Sequence, residues 1–240
     1  DPKQASPALA ALKPQVEAFD RRHLSGAKHL FANSPRVAER LHYYNGLMAE
    51  PLYHPPHQAE HFTCGDDWGY AFYPSRLEPL KRQMLLIEAM ANTRTPIKLL
   101  LTGEGSQRRQ LEELIERLGL GNRVRLLGHI SEQEKRTLYA HALAVAFPPF
   151  DEDYGYVTLE AMLASKPVIT CTDSGGPTAF VEHGVTGWKC EPCPQALAAA
   201  LDDAYAHRAQ AKQMGKQGRE AYYAEKISWH QVVTKLVYSE

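Results

Sequence analysis

The sequence predicts an α/β fold in which a parallel sheet is covered by helices on both faces. From residue 68 to residue 190, short apolar runs alternate with helical patterns about six times, joined by connections of a few residues. The run Leu143 to Phe147 reads as a buried strand that Pro148 and Pro149 stop, after which a helical pattern resumes with Val157, Leu159, Met162 and Leu163. Size agrees: the 240 residues give one large domain, or one of about 150 to 190 residues with an extra piece. A domain of roughly 150 residues already buries about 68–70% of its extended-chain surface, so the core needs no disulfide or metal.

The elements follow in order. Residues 7 to 22 suit a helix through Leu9, Leu12, Val16 and Phe19, and His29 to Ala32 a short strand. Ser34 then reads as the N-cap of a second helix, with Pro35 at its first position, carried by Val37, Leu41 and Tyr44 to Gly46. Pro55 and Pro56, then the polar stretch His57 to Asp67, mark a boundary between units. A strand near Trp68 to Tyr73 leads into a helix with Leu80, Met84, Leu85, Ile87 and Met90, then the strand Ile97 to Leu101. Ser106 is placed as the cap of a helix carrying Leu111, Leu114, Ile115 and Leu118 and closed by Gly119. Val124 to Leu127 is the next strand, and Ser131 with Glu134 matches a capping box. The helix 155–164, the strand Pro167 to Thr170, a short helix to Gly184 and a last strand Gly187 to Lys189 complete the pattern. From Gln195 the chain reads as helical, with contacts at Leu197, Leu201, Met214, Trp229, Val232, Val233 and Leu236.

Lys plus Arg number 27 and Asp plus Glu 28, for a formal net charge of -1. That balance gives no general reason to bind nucleic acid or an anionic membrane, so any phosphate site must be local. No run approaches a membrane span and residues 1–4 do not resemble a signal peptide, so a cytoplasmic protein is expected. A peripheral contact with the inner face of a membrane stays open. Cys190 and Cys193 have the spacing of a zinc or redox pair, but follow a last strand instead of opening a helix. Free thiols are the favoured reading, with a structural metal involving Cys64 or Cys171, or redox chemistry, as the alternatives.

Strand end, acidic turn and helix start are stacked around Asp151 to Glu160, the place where open parallel sheets bind ligands. Glu152 and Glu160 are eight residues apart. For a helix beginning near Gly155, Glu160 lies about 7.5 Å along the axis, so the two acids can grip different hydroxyls of an extended ligand. Arg76 and Lys81 bracket the turn after the first regular strand, where Arg holds phosphate oxygens in pairs and Lys supplies a mobile point charge. Arg82 beside them reads as an ordinary surface base. Gly103-Glu104-Gly105 lacks the third glycine of a dinucleotide fingerprint, and no Walker lysine is present.

Together, Arg76-Leu77-Glu78 with Lys81, Thr102-Gly103-Glu104-Gly105, Glu152-Asp153-Tyr154-Gly155 with Leu159-Glu160-Ala161-Met162, and Gly175-Gly176 before Gly184-Val185-Thr186-Gly187 resemble the family-4, or group 1, retaining glycosyltransferases of GT-B fold. The resemblance covers roughly residues 28 to 237 and includes the family's two glutamates with seven residues between them. It implies a Rossmann-like C-terminal half that binds a nucleoside-diphosphate sugar, UDP- or GDP-linked, without a metal. Arg76 and Lys81 would neutralise the diphosphate, Glu152 would meet the transferred sugar, and Glu160 would hold the ribose. Main chain at Tyr154, Gly155 and Tyr156 would line the phosphates, Gly175 and Gly176 would complete the donor site, and Gly128, His129 and Ile130 would approach the base. The implied reaction passes a hexosyl group to a sugar or lipid-linked acceptor with retention, through a front-face transition state. A GT-B epimerase or phosphorylase, or a non-catalytic nucleotide-binding module, are the alternatives.

Asp153, Ser165 and Ala179 depart from the residues usual at those places, glycine, glycine and glutamate. The larger departure is length. Residues 1–54 resemble only the last helix-strand-helix of the acceptor domain and the crossing segment, 55–225 the nucleotide-sugar-binding domain, and 226–240 a helix returning toward the first. A part of a longer enzyme is therefore expected.

Overall fold

The computed structural model describes residues 7–238. The chain divides into two compact units, one reaching to His54 and resuming at His230, the other Pro55–Trp229.

In the first unit, α1 (Pro7–Leu24) is followed by β1 (Phe31–Ala32), α2 (Pro35–Asn45) and β2 (Glu50–Pro51), with β1 and β2 paired in parallel. The Ser34 hydroxyl accepts the Val37 N–H at 3.1 Å, Pro35 stands at the helix start, and Gly46 ends α2 in the left-handed region. The face assigned to α1 is open: Leu12, Val16 and Phe19 are all exposed, and the side chain of Leu9 lies outside the described residues. Helix α9 (Trp229–Tyr238) buries Val232, whereas Trp229, Val233 and Leu236, read as apolar contacts, are exposed.

The second unit holds β3 (Tyr70–Pro74), α3 (Gln83–Asn92), β4 (Lys98–Thr102), α4 (Arg108–Arg117), β5 (Val124–Leu126), α5 (Glu132–His141), β6 (Ala144–Ala146), α6 (Tyr156–Leu163), β7 (Val168–Cys171), β8 (Gly187–Cys190), α7 (Pro194–Ala206) and α8 (Arg208–Ala224). Its six strands form one parallel sheet in the order β5-β4-β3-β6-β7-β8. Successive side chains of a strand point to opposite faces. Ala71, Tyr73, Leu99, Leu101, Ala146, Ile169 and Trp188 accordingly join one cluster with Leu86 and Met90 of α3, Leu111 of α4 and Leu197 and Leu201 of α7. Phe72, between Ala71 and Tyr73, meets Tyr139 of α5 edge-on at 5.0 Å. All five residues of β3 are buried, as a central parallel strand requires.

The first strand of this sheet is central: two later strands add on one side of β3 and three on the other. The order reverses between β3 and β6, and the crevice outside the carboxyl ends at such a point is where doubly wound sheets take ligands.

Several boundaries differ from the sequence reading. Leu80 is not on α3. It lies on a separate 3-10 turn, Pro79–Lys81, and is exposed, because Arg82 has φ 54° and breaks the path before the helix begins. Ser106 does not cap α4; its hydroxyl donates to Glu78 at 2.8 Å and the helix starts two residues on without a side-chain cap. Trp68 stands outside β3, stacked on His141 at 3.9 Å. The helix before Gly184 is a single 3-10 turn, Gly176–Ala179. The capping box is present, with Ser131 and Glu134 bonded in both directions. All four cysteines are free; Cys171 and Cys190 are partners on β7 and β8, and burial pushes both thiols up to about 12. Among the described residues no helix is long and apolar enough to cross a membrane, and no group of three or more His, Cys, Asp or Glu is placed to hold a metal.

Candidate functional site

Three loops meet at the reversal point: residues 75–82 after β3, 147–155 after β6 and 172–176 after β7. The second and third are joined as an extension of the sheet. Asp151 N–H donates to Asp173 at 3.0 Å, Glu152 N–H to Ser174 at 3.1 Å and Gly176 N–H to Glu152 at 2.7 Å, and Glu152 and Gly175 form a parallel bridge. Gly175 permits this approach: it has φ 73°, and a Cβ there would stand 2.5 Å from the Glu152 carbonyl oxygen. Gly155 does the same at the start of α6, with φ 81° and room for a Cβ only 2.7 Å from the Pro177 ring. The first loop is held by Gln83, fully buried, whose amide donates to the Ser75 hydroxyl at 2.8 Å and the Arg76 carbonyl at 2.7 Å. The Phe150 N–H donates to the Leu80 carbonyl at 2.7 Å and ties the first loop to the second.

The first and second loops line an open cleft of about 460 Å³ whose walls include Arg76, Leu80, Lys81, Phe150, Asp151 and Glu152. Lys81 and Glu152 form an ion pair, with side-chain exposures of only 17% and 22%. The Tyr73 hydroxyl, kept protonated by burial, donates to the Lys81 carbonyl, and the Lys81 ammonium lies 5.8 Å from the Phe147 ring centroid. Arg76 is exposed, and the acid it acts on is Glu78, whose pKa is lowered chiefly by the Ser106 hydroxyl and N–H.

Glu160 is placed differently. It lies on the second turn of α6, is only 9% exposed, and does not line the cleft that holds Arg76, Lys81 and Glu152. The Tyr139 hydroxyl donates to one of its oxygens at 2.6 Å and the Lys135 ammonium to the other at 3.2 Å. Lys135 also reaches Glu132 at 2.9 Å. A carboxylate has about four acceptor positions, so two remain on Glu160 for further donors.

Burial raises the Glu160 pKa above the usual carboxylate value of 4.5; Lys135 and the Tyr139 hydroxyl offset that only in part. A group whose pKa is higher folded than unfolded favours the fold below its unfolded pKa and loses that contribution as pH rises through the folded one. Stability should therefore decline from the ordinary carboxylate range upward, and Glu160→Gln should remove this decline. Denaturant melts of both proteins at stepped pH measure it, and identical slopes would reject Glu160 as the source.

The remaining predicted residues are spread more widely. Tyr154 is buried, packed edge-on against Tyr156 at 5.3 Å and Phe180 at 5.8 Å, whereas Tyr156 is exposed. Gly128 is buried and its carbonyl accepts the Gly103 N–H at 2.8 Å; His129 is exposed and Ile130 half-buried. This loop follows β5, the sheet edge two strands from β3. The Gly176 N–H donates to the Glu152 carbonyl at 2.7 Å and so serves the join between the second and third loops.

Sequence reasoning missed Arg82, Asp173, Gln83, Lys135 and the polar part of Tyr139. Arg82 donates to both oxygens of Asp173, at 2.8 and 2.7 Å. Lys135 and Tyr139 stand four apart on one helix, hence on one face, which was the available signal.

Comparison with known proteins places the chain among sugar-transferring relatives by sequence and fold. An alpha-1,3/1,6-mannosyltransferase of Homo sapiens is 30% identical over 170 residues, covering 64% of this chain and 40% of that protein. A D-inositol 3-phosphate glycosyltransferase of Corynebacterium urealyticum is 32% identical over 176 residues, 69% of this chain and 41% of its own length. The chain thus spans well under two thirds of these relatives. Among solved structures, the Anabaena protein HepE, in complex with UDP and glucose, superposes with a TM-score of 0.82 at 22% identity, over 98% of this chain and 67% of that one. Sucrose-phosphate synthase from Thermosynechococcus elongatus gives 0.81 at 26% identity, over 93% and 60%. Residues 65–221, most of the unit that carries the cleft, match the profile of the glycosyl transferases group 1, and the chain belongs to that family.

Proposed function

We propose that this chain supplies the donor site of a retaining glycosyltransferase that moves a hexosyl group from a nucleoside-diphosphate sugar, UDP- or GDP-linked, to a sugar or lipid-linked acceptor. The observation that carries the reading is the meeting of Lys81 and Glu152, with Arg76 on the same cleft, at the point where the strand order reverses. An ammonium has three donors and a carboxylate about four acceptor positions, so their mutual bond leaves N–H groups for phosphate oxygens and acceptors for a sugar hydroxyl. Arg76 adds a two-pronged phosphate contact. Main chain at Tyr154, Gly155 and Tyr156, where α6 begins, lines the phosphates; Gly175 holds the loop in place, Glu160 takes the ribose, and Gly128 to Ile130 reach toward the base. The bond from the anomeric carbon to the diphosphate breaks, the acceptor oxygen bonds that carbon on the same face, and its proton passes to the departing phosphate oxygen. The sugar transfers named for the two relatives and the UDP complex of the Anabaena protein support this reading.

Isothermal titration of UDP, GDP and ADP into the folded chain tests it. At least one should bind, and saturation should be lost when Glu160 is changed to Ala. No heat from any of the three at millimolar concentration, with the protein demonstrably folded, overturns the donor site.

A further inference from the structure

One residue ties the two loops that line the cleft to the third loop without lining the cleft itself. Arg82 follows Lys81 directly, and its backbone is left-handed, at φ 54° and ψ 37°, a conformation that side-chain-bearing residues rarely adopt. Its N–H donates to the Pro79 carbonyl at 3.1 Å, and the Leu86 N–H of α3 donates to its own carbonyl at 3.3 Å. The guanidinium crosses the second loop, passing over the Phe150 ring at 4.8 Å, and grips Asp173 of the third loop through two parallel hydrogen bonds. Asp173 in turn accepts the Asp151 N–H through its carbonyl. An unfavourable backbone kept at this place points to what the side chain does from it, since glycine would hold the same turn more easily.

We propose that Arg82 is a positioning residue: its clasp on Asp173 fixes the distance between the turn that carries Lys81 and the loop that carries Glu152. The inference rests on the donor-site reading, because the ligand it tunes for is the diphosphate. Arg82 is set apart from the ligand's contacts by its place: it does not line the cleft, and its guanidinium is turned to Asp173. Glu160, caged by α5 and α6, lies outside the clasp.

The test compares the nucleoside diphosphate that binds best among UDP, GDP and ADP with its bare nucleoside, the first by calorimetry and the second by NMR titration. Arg82→Gly should weaken the diphosphate about tenfold or more, by analogy with the loss of an outer-shell partner of a metal ligand. Its melting temperature should hold or rise, because the left-handed turn is relieved, and the nucleoside affinity should not change. Asp173→Asn should act in the same direction, and the exchange Arg82→Asp with Asp173→Arg should restore part of the loss. Diphosphate binding equal to that of the unaltered chain, or equal losses for diphosphate and nucleoside, overturns the inference while leaving the donor site standing. If the unaltered chain binds none of the three, the donor site fails first and the clasp has no ligand to serve.

Discussion

Lys81→Ala lowers turnover about 10²-fold, roughly 3 kcal/mol, in an enzyme that joins this chain to its proposed acceptor domain. Negative charge grows on the diphosphate as the sugar departs, and a preorganised cation acts mainly on that growth, not on ground-state binding. The structure adds a second cost. Lys81 is the partner of Glu152, which is half-buried beside it. Removing the ammonium leaves a half-buried carboxylate facing the incoming phosphates, so repulsion replaces attraction. Initial rates at saturating and limiting donor separate the two contributions. Transfer at the rate of the unaltered enzyme removes Lys81 from the mechanism.

Gly175→Ala should cost the fold about 3 kcal/mol, combining a backbone region that tolerates almost only glycine with overpacking against fixed main chain. At φ 73° and ψ -127° a new Cβ would lie 2.5 Å from the Glu152 oxygen and 2.8 Å from its nitrogen, and neither atom can rotate away. For a protein of this size that corresponds to a fall of about 6–12 °C in the melting midpoint. Diphosphate affinity should fall with it, because the displaced backbone carries Glu152. An unchanged midpoint in differential scanning calorimetry would mean that the two loops do not pack as described.

What was legible in the sequence was local or periodic. Strands buried on both faces show as short apolar runs, so the sheet could be read from residues 68 to 190. Caps whose donor and acceptor lie three residues apart, Ser34 with Val37 and Ser131 with Glu134, were also visible. Ser106 failed for the complementary reason: its hydroxyl has a partner 28 residues away, Glu78, that no local rule could rank against the nearby helix. Leu80 carried the right chemistry for α3, but the left-handed Arg82 stands between them, and its side-chain partner is Asp173, 91 positions along the chain. At the site, residue types were readable and partnerships were not. The two bases and two acids stood out, whereas the pairing of Glu160 with Lys135 and Tyr139 joins helices that only the folded sheet brings together.

The bridge between Glu152 and Gly175 prolongs the sheet past the formal ends of β6 and β7. A small molecule arriving there meets a floor whose peptide groups are already fixed by their own ladder, and only side chains must change partners. The entropy of shaping the receptor therefore belongs to folding and not to association. Tight capture could then be reached with few new contacts, and release would be governed by how readily Lys81 and Glu152 find each other again.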